Sequence, residues 1–336
     1  MQVRRTRQRI TLPADPWLGQ PLEGRYALRR AVAEGATTRV YCGDDLLVGD
    51  AVAVKRILAP ELSARFLWRF RAALYPLASL ALLRCVPVRD YGLLGHDALI
   101  VMEWQPTPTL GAHLQTRNHL PVPAKIAAHL ALWLAEALAD LHRHDLLHLG
   151  LTPNNIFLDR QVGVKVADSG LARAITDTGL TMTGGNLVHA LPYLAPEQLT
   201  YIAPSPATDV YAFGAILFET LTGATLFPQQ TVAEYLTAQA SPALNTAPRP
   251  SQRVEGIPPA LDELIAACLS RDPQQRPQDG AALVERLRAT RVAALADAET
   301  VQMYVTRVTT QHRIPAVKHP LRRRTTPKLA REKRDK

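Results

Sequence analysis

The sequence has little cysteine, and the little it has does not pair. Cys42, Cys85 and Cys268 are odd in number, far apart and without a C-x-x-C spacing. That argues against a disulfide framework or a thiolate zinc site and fits a reducing, cytoplasmic setting. No uncharged apolar run approaches the roughly 18 residues that a membrane span needs. Arg4, Arg5, Arg7 and Arg9 are followed by no apolar stretch, so no secretory signal is expected. No internal repeat is evident.

What the chain does have is core material. Its 336 residues are 47% hydrophobic and 21% charged, a globular composition for one large domain or two ordinary ones. Wholesale disorder is excluded. The net charge of +9 is uneven: residues 1–10 carry +4 and residues 312–336 carry +8, which leaves −3 between them. The basic character lies in the two tails, so the domain itself does not read as a nucleic-acid binder.

Residues 1–20 read as a basic leader with Pro13 and Pro16. Three β-type runs, YALRRAVA, TTRVYCGDD and DAVAVKRIL, alternate with turns over 26–58. A helix is predicted over 61–82, then two more strands, VPVRDYGLL and DALIVMEW. Five strands and one main helix make a first lobe over 21–104. From 105 the pattern turns helical. Ile126, Leu130, Leu134, Leu138 and Leu141 share one face of a long helix. TDVYAFGAILFETLTG is apolar almost all round and stops at Gly223, which predicts a buried helix with a glycine C-cap. Further helices are expected near 231–239, 259–270 and 279–292, with a Pro-rich loop over 241–258. From about residue 305 the composition shifts to basic residues, Thr and Pro, and residues 293–336 are expected to form a basic, disordered tail.

Several short segments, in order and at characteristic spacing, carry a resemblance. They are A-E-G-A-T-T-R-V at 33–40, A-V-K at 53–55, V-M-E-W at 101–104, H-L-G-L-T-P-N-N-I at 148–156, A-D-S-G at 167–170, Y-L-A-P-E at 193–197 and R-D-P-Q-Q-R-P at 271–277. Together they resemble the bacterial eukaryotic-type (Hanks-type) Ser/Thr protein kinase domain, over roughly 24–291. The resemblance implies an α+β, two-lobed fold with a five-stranded N-lobe (21–104) and a mainly helical C-lobe (105–292).

It also implies a nucleotide site. Ala33, Gly35 and Val40 would belong to the loop over the phosphates, where only Gly35 of three family glycines remains. Ala53 and Lys55 match the third-strand motif, with Lys55 on the α- and β-phosphates. Met102 would be the gatekeeper, and the backbone of Glu103 and Trp104 would meet adenine. Asn155 and Asp168 would hold Mg2+ for ATP or ADP. His148, Glu197, Asp209 and Arg276 match structural positions, with Asp209 anchoring the catalytic loop and Arg276 pairing with Glu197.

The departures cluster at the chemistry. Gly150 occupies the position of the catalytic aspartate, where general-base help is worth about 10²–10⁴-fold. Leu149, Thr152 and Ser169 replace the family's arginine, lysine and phenylalanine. The helix glutamate that should pair with Lys55 maps to Ala72 or Ala73, and Glu61 lies too near the helix start to stand in. No other base is evident: Asp145 sits in a loop, and His142, His144 and His148 lack a carboxylate partner in sequence. The expectation is a degenerate, pseudokinase-like protein: a signalling scaffold with weak or absent ATP/Mg2+ binding. Its partners would be proteins, such as an active kinase or that kinase's substrate. The alternatives are a weakly active atypical Ser/Thr kinase, and an adaptor binding nucleic acid or anionic surfaces through its basic tails. Thr176, Thr178, Thr181 and Thr183, and Thr325 and Thr326, are candidate phosphorylation sites.

Overall fold

We describe a computed structural model of the chain, covering residues 15–19, 21–35, 38–58, 64–171, 190–200, 203–227, 231–240 and 249–311. The two-lobed α+β architecture expected from the sequence is observed. An antiparallel sheet, β1 (Pro21–Leu22), β2 (Tyr26–Glu34), β3 (Thr38–Asp45), β4 (Ala51–Leu58), β5 (Val88–Leu94) and β6 (Asp97–Glu103), packs with helix α1 (Ala64–Ser79). The spatial order is β1-β2-β3-β4-β6-β5. The five expected strands are present, and two-residue β1 adds a sixth at the edge.

Period-2 alternation assigns the two faces of this sheet. Tyr41, Val52, Val54, Leu99 and Val101 make a small outer cluster. Ile57, Ala98, Ile100 and Met102 face the other way, into the main core that runs on through α1 and the second lobe. The outer cluster is covered by Trp17 and Leu18. Asp15 Oδ2 accepts hydrogen bonds from Arg39 Nη1 and the Tyr41 hydroxyl, both at 2.9 Å. The Trp17 ring lies 6.4 Å from that of Tyr41 and 4.2 Å from the Arg56 guanidinium.

The second lobe contains α2 (Leu110–Thr116), α3 (Ala124–Arg143), the hairpin β7 (Ile156–Asp159) and β8 (Gly163–Val166), α4 (Pro206–Thr222), α5 (Val232–Ala240), α6 (Pro259–Cys268), α7 (Gly280–Ala289) and α8 (Ala298–Gln311). The apolar stripe of α3 is buried along its length, and α4 is buried on all sides from Ala207 to Leu221. Gly223 ends α4 at φ 72°, and a Cβ there would lie 1.6 Å from the His119 carbonyl oxygen. Only glycine meets both conditions.

The mainly helical second lobe also holds the short β7–β8 hairpin. One sequence expectation is corrected here. The expected disordered tail starts too early, because residues 298–311 form α8, which buries Val301, Tyr304, Val305 and Val308. These residues recur at helical spacing, but the basic composition beyond them masks the period when the tail is read as one block. The Tyr304 hydroxyl hydrogen-bonds His113 Nε2 at 2.7 Å, and Arg160 Nε donates to Thr309 Oγ1 at 2.7 Å. Residues 312–336 lie outside the described residues.

Candidate active site

The sheet register sets one wall of the cleft. Ala33 is paired with Val40, Val40 with Lys55, and Lys55 with Ile100, while Ala53 is paired with Met102. Paired residues share a face, so all of these side chains line the inner side of the sheet. The turn between β2 and β3 closes with Gly35 N–H donating to the Thr38 carbonyl at 2.8 Å. Its tip, residues 36–37, is outside the described residues.

At the connection between the lobes, backbone amides are already committed. Glu103 N donates to the Pro87 carbonyl (3.0 Å) and Trp104 N to the Ala51 carbonyl (3.4 Å). These two residues therefore have no amide left for a ligand. The Gln105 amide makes no hydrogen bond among the described residues, and its side chain is pinned to Glu103 Oε1 at 2.9 Å. Gln105 was missed at the sequence level, because nothing local distinguishes which of three successive amides turns inward. Glu103 also accepts from Lys165 Nζ (3.0 Å), which ties the connection to β8.

Lys55 Nζ donates to Asp168 Oδ2 at 2.8 Å. The expectation that Lys55 lacks a partner is thus corrected: the aspartate takes the place of the missing helix glutamate. Of the two candidate positions on α1, Ala73 faces inward, its carbonyl beside Gly170, whereas Ala72 is exposed. Glu61 is outside the described residues. Beneath α1 a cavity of about 20 Å³, room for about one water, is lined by Leu74, Leu77, Met102, Asp168 and Ser169 among others.

The loop 148–155 is fully assembled around Asp209, near the start of α4. Its carboxylate accepts from His148 N and Leu149 N, each at 2.7 Å, and from His142 Nε2 at 3.1 Å. Those bonds hold Leu149 at φ 59° and accompany Asp168 at φ 63°, conformations that cost a branched or acidic residue on the order of 1 kcal/mol. His142 Nδ1 accepts from Gly280 N at 2.9 Å, so its proton is on Nε2, the nitrogen facing Asp209. His142 is a second missed residue, since both of its partners are distant in sequence. His148 is buried, with Nε2 donating to the Ala167 carbonyl (2.9 Å) and Gly150 N donating to Nδ1 (3.3 Å). Burial pulls its imidazole below the ordinary histidine range, against the opposing pull of Asp209.

Gly150 itself is held on both sides. Its amide is used by His148, and its carbonyl accepts from Asn155 Nδ2 at 2.9 Å. It offers no side-chain atom to a substrate. Leu149 is buried and Thr152 half-buried, and Asp145 is exposed in the turn after α3.

The residues present fit a magnesium ion. Asp168 Oδ1 is buried and has no hydrogen-bond partner. The bond from Asn155 Nδ2 to Gly150 leaves the Asn155 amide oxygen as a donor to a cation. Among the described residues no group of three or more His, Cys, Asp or Glu side chains is placed to hold a metal. The remaining ligands would therefore be phosphate and water, as is usual for Mg2+.

Glu197 and Arg276 meet in the C-lobe core. Arg276 Nη1 and Nη2 donate to the two carboxylate oxygens at 2.7 and 2.9 Å, with both side chains buried. Thr208 Oγ1 donates to the same carboxylate at 2.8 Å, and Arg276 Nη1 also reaches the Ala207 carbonyl. Thr176, Thr178, Thr181, Thr183, Thr325 and Thr326 are outside the described residues.

The protein kinase domain family matches residues 26–287. Serine/threonine-protein kinase PknL of Mycobacterium bovis is 33% identical over 326 residues, covering 93% of this chain and 80% of PknL. Serine/threonine-protein kinase PrkC of Bacillus subtilis is 27% identical over 264 residues, covering 77% of this chain and 39% of PrkC. The crystal structure of the Mycobacterium tuberculosis PknI kinase domain superimposes with a TM-score of 0.62 at 19% identity. It covers 79% of this chain and 95% of that domain.

Proposed function

The chain belongs to the protein kinase domain family, and from that premise we propose that it is a pseudokinase: a signalling scaffold that keeps a weak ATP/Mg2+ site and lacks efficient phosphotransfer. The observation that carries this reading is Gly150. The loop around it is assembled, yet the position from which a carboxylate would orient a hydroxyl and take its proton has no side chain. Ala73 adds to the case, because no acid on α1 frees Asp168 from Lys55. Phosphoryl transfer rests on positioning and electrostatics, and both are depleted here.

When bound, the Mg2+ of a nucleotide would neutralise phosphate charge. Asp168 Oδ1 and the Asn155 amide oxygen would hold it, and Lys55 would supply the one cation of the β4 wall. The Gln105 amide would meet the adenine edge. Three unpaired, buried cysteines support a reducing, cytoplasmic setting. No described helix is long and apolar enough to cross a membrane.

The competing reading is slow transfer by positioning alone. It is favoured by the convergence of Lys55, Asp168 and Asn155, and by relatives named as serine/threonine-protein kinases. Thermal shift with ATP, with and without Mg2+, beside a radiolabelled phosphotransfer assay separates the two. Stabilisation by nucleotide without transfer supports the scaffold reading. Transfer at ordinary rates, abolished by Asp168→Asn, overturns it.

A further inference from the structure

Helix α1 turns two large aromatic side chains to solvent. Trp68 is 71% exposed and Tyr75 67% exposed. They lie seven residues apart, about 10 Å along the helix and on one face. The opposite face is fully used: Phe66, Phe70, Leu74 and Leu77 are in the core. Exposed Ala72 sits between the two rings and leaves a notch there. Exposed aromatic pairs of this kind are uncommon on a surface that meets only water.

Two further observations describe what would fill the notch. Residues 62–89 contain five arginines and no acid. Arg84 and Arg89 are committed to Glu136, Asp50 and Glu103. Arg71, beside the notch, is exposed and has no ion pair among the described residues. Pro76 lies inside the helix and has no N–H, so the Ala72 carbonyl lacks its regular i+4 donor. The face thus offers two rings, a cation and a backbone acceptor.

We propose that the Trp68–Tyr75 face of α1 is a docking site for an acidic segment of a partner protein, with one large apolar side chain seated over Ala72 and carboxylates against Arg71. A second copy of this chain fits less well. Its own exposed apolar tip, Leu46–Val48, is flanked by Asp44, Asp45 and Asp50, and these are already paired with Arg29, Arg25 and Arg89. The basic tails carry the wrong sign. Because Leu74 and Leu77 line the cavity that reaches Asp168, a partner pressing on the outer face of α1 bears on the seat of the Lys55–Asp168 pair. The scaffold reading gives this site its use, but its test reads binding rather than phosphotransfer, so the two can fail separately.

The test selects a display library of random peptides on the full chain and, in parallel, on the full-length Trp68→Ala/Tyr75→Ala variant. Circular dichroism and melting curves establish that the variant is folded, as expected for exposed side chains. The expected result is enrichment of Asp and Glu around one Leu, Phe or Trp on the wild type only. Individually synthesised winners should bind the double variant at least about tenfold more weakly and Arg71→Glu about threefold more weakly. Selected peptides without acidic bias, or binding equally to the double variant, would overturn the proposal. So would tighter, Trp68-dependent binding to phosphatidylserine vesicles, or a dimer of the chain abolished by Trp68→Ala.

Discussion

The Lys55 ammonium and the Asp168 carboxylate are 2.8 Å apart across 113 residues of sequence. One aspartate therefore serves two demands. It holds the lysine that no acid on α1 holds, and it leaves a single buried oxygen, Oδ1, for a cation. An ion pair this close strengthens in a partly buried site. It must be shared or loosened when phosphate and metal arrive, and this is the physical ground for the weak nucleotide affinity proposed above.

Replacing that aspartate tests the shared role. In Asp168→Asn, ATP alone should still shift the melting temperature. The extra shift given by Mg2+ should vanish, because the amide cannot supply an anionic oxygen. An unchanged Mg2+ increment would place the cation elsewhere.

Restoring the missing carboxylates should restore chemistry. Wild-type phosphotransfer is expected to be absent or several orders of magnitude below that of active relatives. Gly150→Asp should raise it by about 10²-fold or more, and Gly150→Asp/Ala73→Glu further, since Ala73 faces inward. Single-turnover phosphorylation of a basic peptide measures this. Equal rates for wild type and both variants would count against the reading of Gly150.

Stability should depend on pH through two buried groups with opposite signs. Burial raises the Glu219 carboxyl above its usual range, outweighing the hydrogen bond from the Tyr193 hydroxyl (2.5 Å). The folded state then holds a proton that the unfolded state has lost. Stability from this group is present below about pH 4.3 and is lost as pH rises through the raised value. His148, pulled down by burial, does the reverse. Its contribution is complete above about pH 6.5 and is lost as pH falls through the lowered value. Glu219→Gln should melt at or above wild type at neutral pH, with the gap closing in acid. A gap that widens in acid would contradict the assignment.

Helix α8 should be part of the folded unit. Tyr304→Phe removes the hydroxyl bonded to His113 and should cost about 1 kcal/mol. Tyr304→Ala also empties a buried site and should cost about 3 kcal/mol or more. Chemical denaturation reads both. Wild-type stability in Tyr304→Ala would mean that the helix does not dock.

Local signals carried much of this protein. The alternation in β2–β6 was legible because side chains two apart must share a sheet face. The stripe of α3 and the all-round apolarity of α4 were legible for the corresponding helical reason. The empty position at 150 was legible because motif order fixes which residue stands where. Tertiary structure decided what depends on distance through space. It chose Asp168 as the partner of Lys55, Ala73 over Ala72 as the inward position, and Gln105 as the residue with an uncommitted amide. It also joined His142 to Asp209 and Gly280, and gave the period of Val301, Tyr304, Val305 and Val308 a surface on which to bury. Each of these needs a second element far along the chain, and a local pattern carries no information about where that element will lie.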